Sequence, residues 1–224
     1  MPLFDSHVDG YCHKEVSKNP YMDVSMIETI DRVTSFYADL DKMILQFQLK
    51  TGLRCPEKCG GICCQKEDVY ISVIEMLPIA HAILIEGESA FWLEQLESKS
   101  PASRCIFYSQ EPRGNIQGHC RQYTLRPMIC RMFGFASVRN RLGEQKLSTC
   151  KCIKLSDKDA FLTATAIQSE APCFSNISAS LYGLEPSLSA RLQPINEAFK
   201  AALSRVGLYL QLSHVEDLGG ISVA

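Results

Sequence analysis

The chain reads as a mainly α protein, a small helical domain with long cysteine-rich loops organised on a metal centre and minimal β structure. Three observations predict this. Apolar residues recur at three- and four-residue steps near both ends of the chain, the period of an amphipathic helix. Residues 98–125 are rich in Ser, Pro, Gly and Gln, and a loop that long needs something to tie it down in a compact domain. Nine cysteines lie between Cys55 and Cys152, in contexts that read as loops rather than apolar faces.

Taken in order, residues 1–23 read as an irregular segment. His7, Cys12 and His13 cluster there, either as extra metal ligands or as incidental polar residues of a flexible terminus. An N-terminal amphipathic helix follows over 24–51. Met26, Ile30, Val33, Tyr37, Leu40, Ile44 and Phe47 form its stripe, and Thr51-Gly52 supplies the stop. Residues 52–155 form the cysteine-cluster core. Within it, Val69–Val73 suits a short strand, and Ser72 and Glu75 have capping-box spacing. The next helix starts either there or nearer Leu77, with Pro78 in its first turn. Ser89–Glu97 reads as a helix capped by Ser89, with Phe91, Trp92 and Leu96 turned inward. Pro127 opens a short helix that presents Cys130 near its start, where the helix dipole favours a thiolate. A basic, turn-rich segment then leads to Cys150-Lys-Cys152. The C-terminal helical segment, 156–224, packs on the core. Its first helix is capped around Ser156–Asp159, Pro186 opens another, and Pro194 precedes the stripe Ile195, Ala198, Phe199, Ala202, Val206 and Leu210. Its last ten residues read as frayed. All of this suits one compact domain.

The chain has 224 residues and a net charge of −2, so no global charge bias draws it to nucleic acid. Its start lacks the basic and apolar regions of a signal peptide, and no apolar run is long enough for a bilayer. A cytoplasmic place is expected. Eleven cysteines are an odd count, and a reducing compartment disfavours disulfides.

The stretch Cys55-Pro-Glu-Lys-Cys59-Gly-Gly-Ile-Cys63-Cys64 places four thiols within ten residues. Thiolates that close repel one another unless a soft cation sits among them. Cys55, Cys59, Cys63, Cys64, Cys105, Cys120, Cys130, Cys150 and Cys152 are the candidate metal ligands; Cys12 and Cys173 stand apart. One zinc or one cubane cluster needs about four thiolates, so the count allows one site with spare thiols or two sites. From His119 to Lys154 eight Lys and Arg residues face one acid, Glu144. That segment reads three ways: charge compensation, an anion-binding face, or a solvated loop. In the first, Arg126 and Arg131 contact the cofactor, donating to and screening the thiolate site. His119, beside Cys120, is a candidate ligand, base or outer-shell residue.

These cysteines, with Arg126-Pro127-Met128-Ile129-Cys130-Arg131-Met132-Phe133, resemble the YkgJ-type cysteine-cluster family of zinc- or iron-chelating domains. The resemblance covers about residues 52–155. The chain departs from the family's opening by having three residues, rather than two, between Cys55 and Cys59 and between Cys59 and Cys63. The resemblance implies metal binding through an iron–sulfur cluster, 4Fe–4S in type, or zinc. A similar cysteine arrangement occurs in flagellin lysine methyltransferases. Three readings stay open. In the first, a metal or cluster protein stores, senses or delivers metal, or supports a protein partner. In the second, an enzyme uses an iron–sulfur cluster for redox or methyl transfer. In the third, structural zinc organises an interaction module. No glycine-rich loop between a strand and a helix marks an S-adenosylmethionine site.

Overall fold

The computed structural model describes residues 25–56, 59–100, 103–111 and 118–218. The expected irregular segment and its His7, Cys12 and His13 lie outside those residues. The architecture is mainly α with a few two- and four-residue antiparallel strand pairs.

Helix α1 (Met26–Thr51) begins where the Ser25 hydroxyl accepts the Glu28 N–H at 3.1 Å. It ends at Gly52, whose left-handed backbone (φ 74°) closes the last turn onto Gln48. The stripe from Ile30 to Phe47 is buried as its spacing predicts. Strand β1 is only Tyr70–Ile71, shorter than the β-branched run suggested. The chain turns at once into a 3-10 helix, Val73–Met76, and then α2 (Leu77–Ile85) with Pro78 in its first turn. Both starts anticipated for this region are therefore present, one after the other. Leu77, Ile79, Ala80 and Ile83 of α2 are all buried, because α1 packs against this helix and so does the long C-terminal helix α9 (Ile195–Leu218). Helix α9 is described to Leu218, so the first four of the ten residues expected to fray are helical; residues 219–224 lie outside the described set.

Helix α3 spans Ser89–Glu97, but Glu88 occupies the cap position and Ser89 is the first helical residue. Trp92 and Leu96 face inward while Phe91 is half exposed, so the apolar face is narrower than the sequence suggested. Strands β2 (Tyr108–Ser109) and β3 (His119–Cys120) pair with Tyr108 opposite Cys120 and Ser109 opposite His119. Helix α4 (Met128–Met132) has Pro127 as its cap residue. The basic segment read as turns is a hairpin, β4 (Ala136–Arg139) against β5 (Gln145–Ser148), and a local Asx turn directs it: Asn140 Oδ1 accepts from the N–H groups of Leu142 and Glu144. Cys150-Lys-Cys152 is not a loop: Cys150 caps α5 (Lys151–Ser156) and Cys152 is helical. Within the expected stretch Ser156–Asp159 it is Asp157 that caps α6 (Lys158–Ala166), through the Ala160 N–H at 2.9 Å. Helix α7 (Phe174–Tyr182), absent from the sequence expectations, follows the buried Cys173; α8 spans Pro186–Ser189. Strand β6 (Gln193–Pro194) pairs with β1 and starts α9 beside the first strand. Among the described residues no helix is long and apolar enough to cross a membrane.

Candidate metal centre

A cavity of about 380 Å³ lies between the short elements, and eight of the nine candidate cysteines line it. They are Cys55, Cys59, Cys63, Cys64, Cys105, Cys120, Cys130 and Cys150; Cys152 is not on its wall. The rest of the wall includes Ile62, Val69, Met76, Ile79, Phe107 and Ile153, with Arg126, Arg131, Lys66 and Lys151 as its cations. A low-dielectric wall of this kind strengthens every charge interaction inside it.

Each cysteine arrives there for a local reason. Gly60 and Gly61 both take positive φ (62° and 67°), so the chain reverses between Cys59 and Cys63. The reversed loop is pinned to β2: Gln65 Nε2 donates to the Gly60 carbonyl and to the Tyr108 hydroxyl, at 3.2 and 2.9 Å. Gly118 is required at the same junction, because a Cβ there would stand 2.5 Å from the Tyr108 hydroxyl. The Cys105 segment is tied down by Asn196, a buried residue in the first turn of α9. Its Oδ1 accepts the Ile106 N–H at 2.9 Å, and its Nδ2 donates to the Ser103 and Arg104 carbonyls. Cys120 comes with β3. Cys130 comes with α4, whose Ile129 N–H donates to Glu75 at 3.4 Å.

Glu75 is 0% exposed and holds several elements together. Its carboxylate also accepts from the Tyr182 hydroxyl at 3.0 Å and the Ser72 N–H at 3.3 Å, while its carbonyl accepts from the Tyr37 hydroxyl at 2.9 Å. Burial pushes its carboxyl up to about 7, against the hydrogen bonds that favour the charged form.

The two candidate arginines differ in what they do. The Arg131 guanidinium is 4% exposed and fully committed. It donates to Asp41 of α1, to the Thr124 carbonyl at 2.5 Å and to the Arg126 carbonyl at 2.8 Å, and lies over the Tyr37 ring. It braces the segment between Cys120 and Cys130 against α1. Arg126 stacks on Tyr123, 4.0 Å from the ring centroid, and its charge helps to hold Cys63 and Cys120 low. Arg139, Arg141 and Lys146 sit instead on the exposed hairpin, so the basic segment divides between cavity and solvent.

The thiols are electrostatically linked. Hydrogen bonding with Cys64 lowers Cys63 to about 6 and lowers Cys120, partly offset by burial, and the same pairing raises Cys64 strongly. Burial pushes Cys105 up to about 12 and raises Cys130; nearby thiolates add to both. Burial, then the Cys59 thiol beside it, pushes Cys55 up to about 12. Burial, then Cys59 and Cys150, raises Cys152. An apolar wall lined with thiols that penalise one another's ionisation suits a soft cationic centre, which would stabilise all of them as thiolates. Among the described residues, no three His, Cys, Asp or Glu side chains already close on one point as a single-ion cage. His119 is half buried with its Nδ1 lacking a hydrogen-bond partner, and it is not on the cavity wall.

The pattern of these cysteines matches a family model. The family CxxCxxCC, described as "putative zinc- or iron-chelating domain", matches residues 54–161. The matched segment runs from just after α1 into α6, and all nine candidate ligands fall inside it. No curated protein and no solved structure matches the chain. Reasoning from sequence missed Glu75, Tyr108 and Asn196 as organisers of the site. Only an isolated polar residue in an apolar run, as with Glu75 before Met76-Leu77, could have signalled one of them.

Proposed function

We propose that this chain is a cysteine-ligated metal-binding protein, with an iron–sulfur cluster favoured over zinc as the centre in the cavity. The observation that carries this reading is the single cavity shared by eight cysteines. One water needs about 10–15 Å³ and a lone zinc sits about 2.3 Å from each of four sulfurs, so a cavity of about 380 Å³ is far larger than one ion requires. Four thiolates would hold a cubane cluster, and such a cluster supplies one-electron redox chemistry when bound. This chain's own contribution would be an apolar wall that excludes water, Arg126 to offset negative charge, and Arg131, Asn196 and Glu75 to fix the loops. Redox, sensing or metal handling in the cytoplasm fits a centre so enclosed. Purification without oxygen, followed by iron, sulfide and zinc analysis and a visible spectrum, tests the reading. Brown protein containing iron and acid-labile sulfide supports it; colourless protein holding zinc alone overturns the preference.

A further inference from the structure

The thiol cavity has a neighbour. A groove of about 350 Å³ lies against it, and Cys55, Tyr123, Arg126 and Phe135 line both spaces. The rest of the groove wall comes from α1 and from Arg54. Leu45 and Leu49 stand four residues apart on α1, and so on one face of it, outside the buried stripe. Both are more than half exposed, and so is Tyr123. Single exposed leucines are ordinary on a protein surface, but three large apolar side chains around one concavity mark a place where something binds.

Charge narrows what that is. Arg54 and Arg126 are the cations of the groove, and among the described residues no Asp or Glu lines it. Arg126 is half-buried and held in place: it stacks on Tyr123, 4.0 Å from the ring centroid, and its Nη1 donates to the Tyr123 carbonyl at 2.9 Å. Asp41 stands 3.9 Å from its Nη2 but also accepts from Arg131, so one carboxylate serves two guanidiniums. Arg54 is exposed and makes no ion pair among the described residues. Positive charge is therefore in excess beside an apolar surface. The planar fork of a guanidinium matches a carboxylate. The groove's volume lies near the lower end of small-molecule pockets, which span about 300–1,000 Å³.

We propose that this groove binds a small amphipathic anion, a carboxylate carried on an aliphatic or aromatic body. The head pairs with Arg54 and Arg126, and the body lies over Leu45, Leu49 and Tyr123. Arg126 lines both spaces, so the bound anion and the thiols of the cavity draw on one positive charge. The site is built from this chain's own side chains and does not depend on which metal the cavity holds.

The test is calorimetric titration of the full chain, purified without oxygen and carrying whatever metal it holds, with octanoate and with 4-phenylbutyrate. Acetate supplies the head without the body, and 1-octanol the body without the head. Saturable binding of octanoate or 4-phenylbutyrate is expected, with acetate and 1-octanol weaker by about tenfold or more. Arg54→Gln and Leu49→Asp alter exposed side chains; each should weaken binding about tenfold while circular dichroism and metal content match wild type. Acetate binding as well as octanoate would reveal an adventitious ion only, and 1-octanol binding as well would reveal an apolar patch without use of the arginines. Either result overturns the proposal. So does binding that both variants leave intact, or no binding at millimolar ligand, including the case in which Leu49→Asp turns a dimer into a monomer and the groove proves to be an interface between copies. Zinc in place of iron in the same preparation would overturn the cluster preference and leave this site standing.

Discussion

Helices α1, α2 and α9 meet through Val33, Leu40, Ile79, Ile83, Ala202 and Val206, all buried, whereas the stretch from Cys105 to Cys152 is held quite differently. There the helices α4 and α5 are five and six residues long, and β2 and β3 are two residues each. Helices shorter than about 12–15 residues are marginal in water, and isolated strand pairs are too. The first region is stabilised by area removed from water along long periodic faces. The second depends on individual polar ties, those of Asn196, Glu75 and Arg131 among them. The lesson is that one chain can carry two sorts of stability, one spread along apolar faces and one concentrated in a few hydrogen bonds.

Removing the metal should expose that contrast most. Structural zinc is worth about 10–16 kcal/mol in small peptides, comparable with the whole stability of a domain at about 5–15 kcal/mol. In chelator-treated, reduced protein, amide exchange should lose its protection at Cys105–Phe107, β3 and α4 while α1, α2 and α9 keep theirs. Uniform protection in both regions would contradict a metal-dependent half.

The next effect lies where the regions join. Phe107 follows Cys105, and its ring centroid is 4.7 Å from that of Phe199 on α9 and 4.9 Å from Trp92 on α3. Phe199→Ala should cost about 3–5 kcal/mol in urea unfolding, because the cavity opens between both regions. A loss under 1 kcal/mol would mean that the two regions are not mechanically joined there.

Glu75 gives the junction a pH dependence. Its folded-state value of about 7 lies above its ordinary 4.5, so the native state binds a proton that the unfolded state releases between those values. This contribution favours the fold fully below about pH 4.5 and is lost as pH rises through about 7, an effect of about 3 kcal/mol. Comparing urea midpoints at pH 5 and pH 7.5, Glu75→Gln should remove that part of the slope. An unchanged slope in the variant would assign the dependence to other groups.

The smaller expected losses separate the two partners of one ion pair. Arg131→Ala leaves the Thr124 and Arg126 carbonyls without their donor and should cost about 2–3 kcal/mol. Asp41→Ala removes a carboxylate that is 46% exposed and should cost under about 1 kcal/mol. Equal losses would show that the bond to α1, rather than the loop brace, is what Arg131 contributes.

Much of the helical frame was legible in the order of residues. The α1 stripe and its Gly52 stop are local patterns, because one helix face and one left-handed cap are decided within a few residues. The α9 stripe is of the same kind, and so is the Ser89–Glu97 helix. The hairpin β4–β5 was hidden because its strands are short and mostly polar, with Arg139, Lys146 and Ser148 exposed. The cysteine list was readable as composition and spacing. Which sulfurs share one wall was not, since Cys59 and Cys150 line the same cavity across more than ninety residues of chain.

Residue order alone determined that this would be a helical protein with a cysteine-dense middle, because period, caps and thiol spacing act over short distances. The meeting of Cys64 with Cys120, the burial of Glu75 beneath Ile129, and the reach of Asn196 to the Cys105 loop were decided only in three dimensions. Those contacts join segments far apart in the chain, and no local preference specifies a partner that distant. Packing of α2 between α1 and α9 sets the frame, and the loops take the positions that frame leaves them.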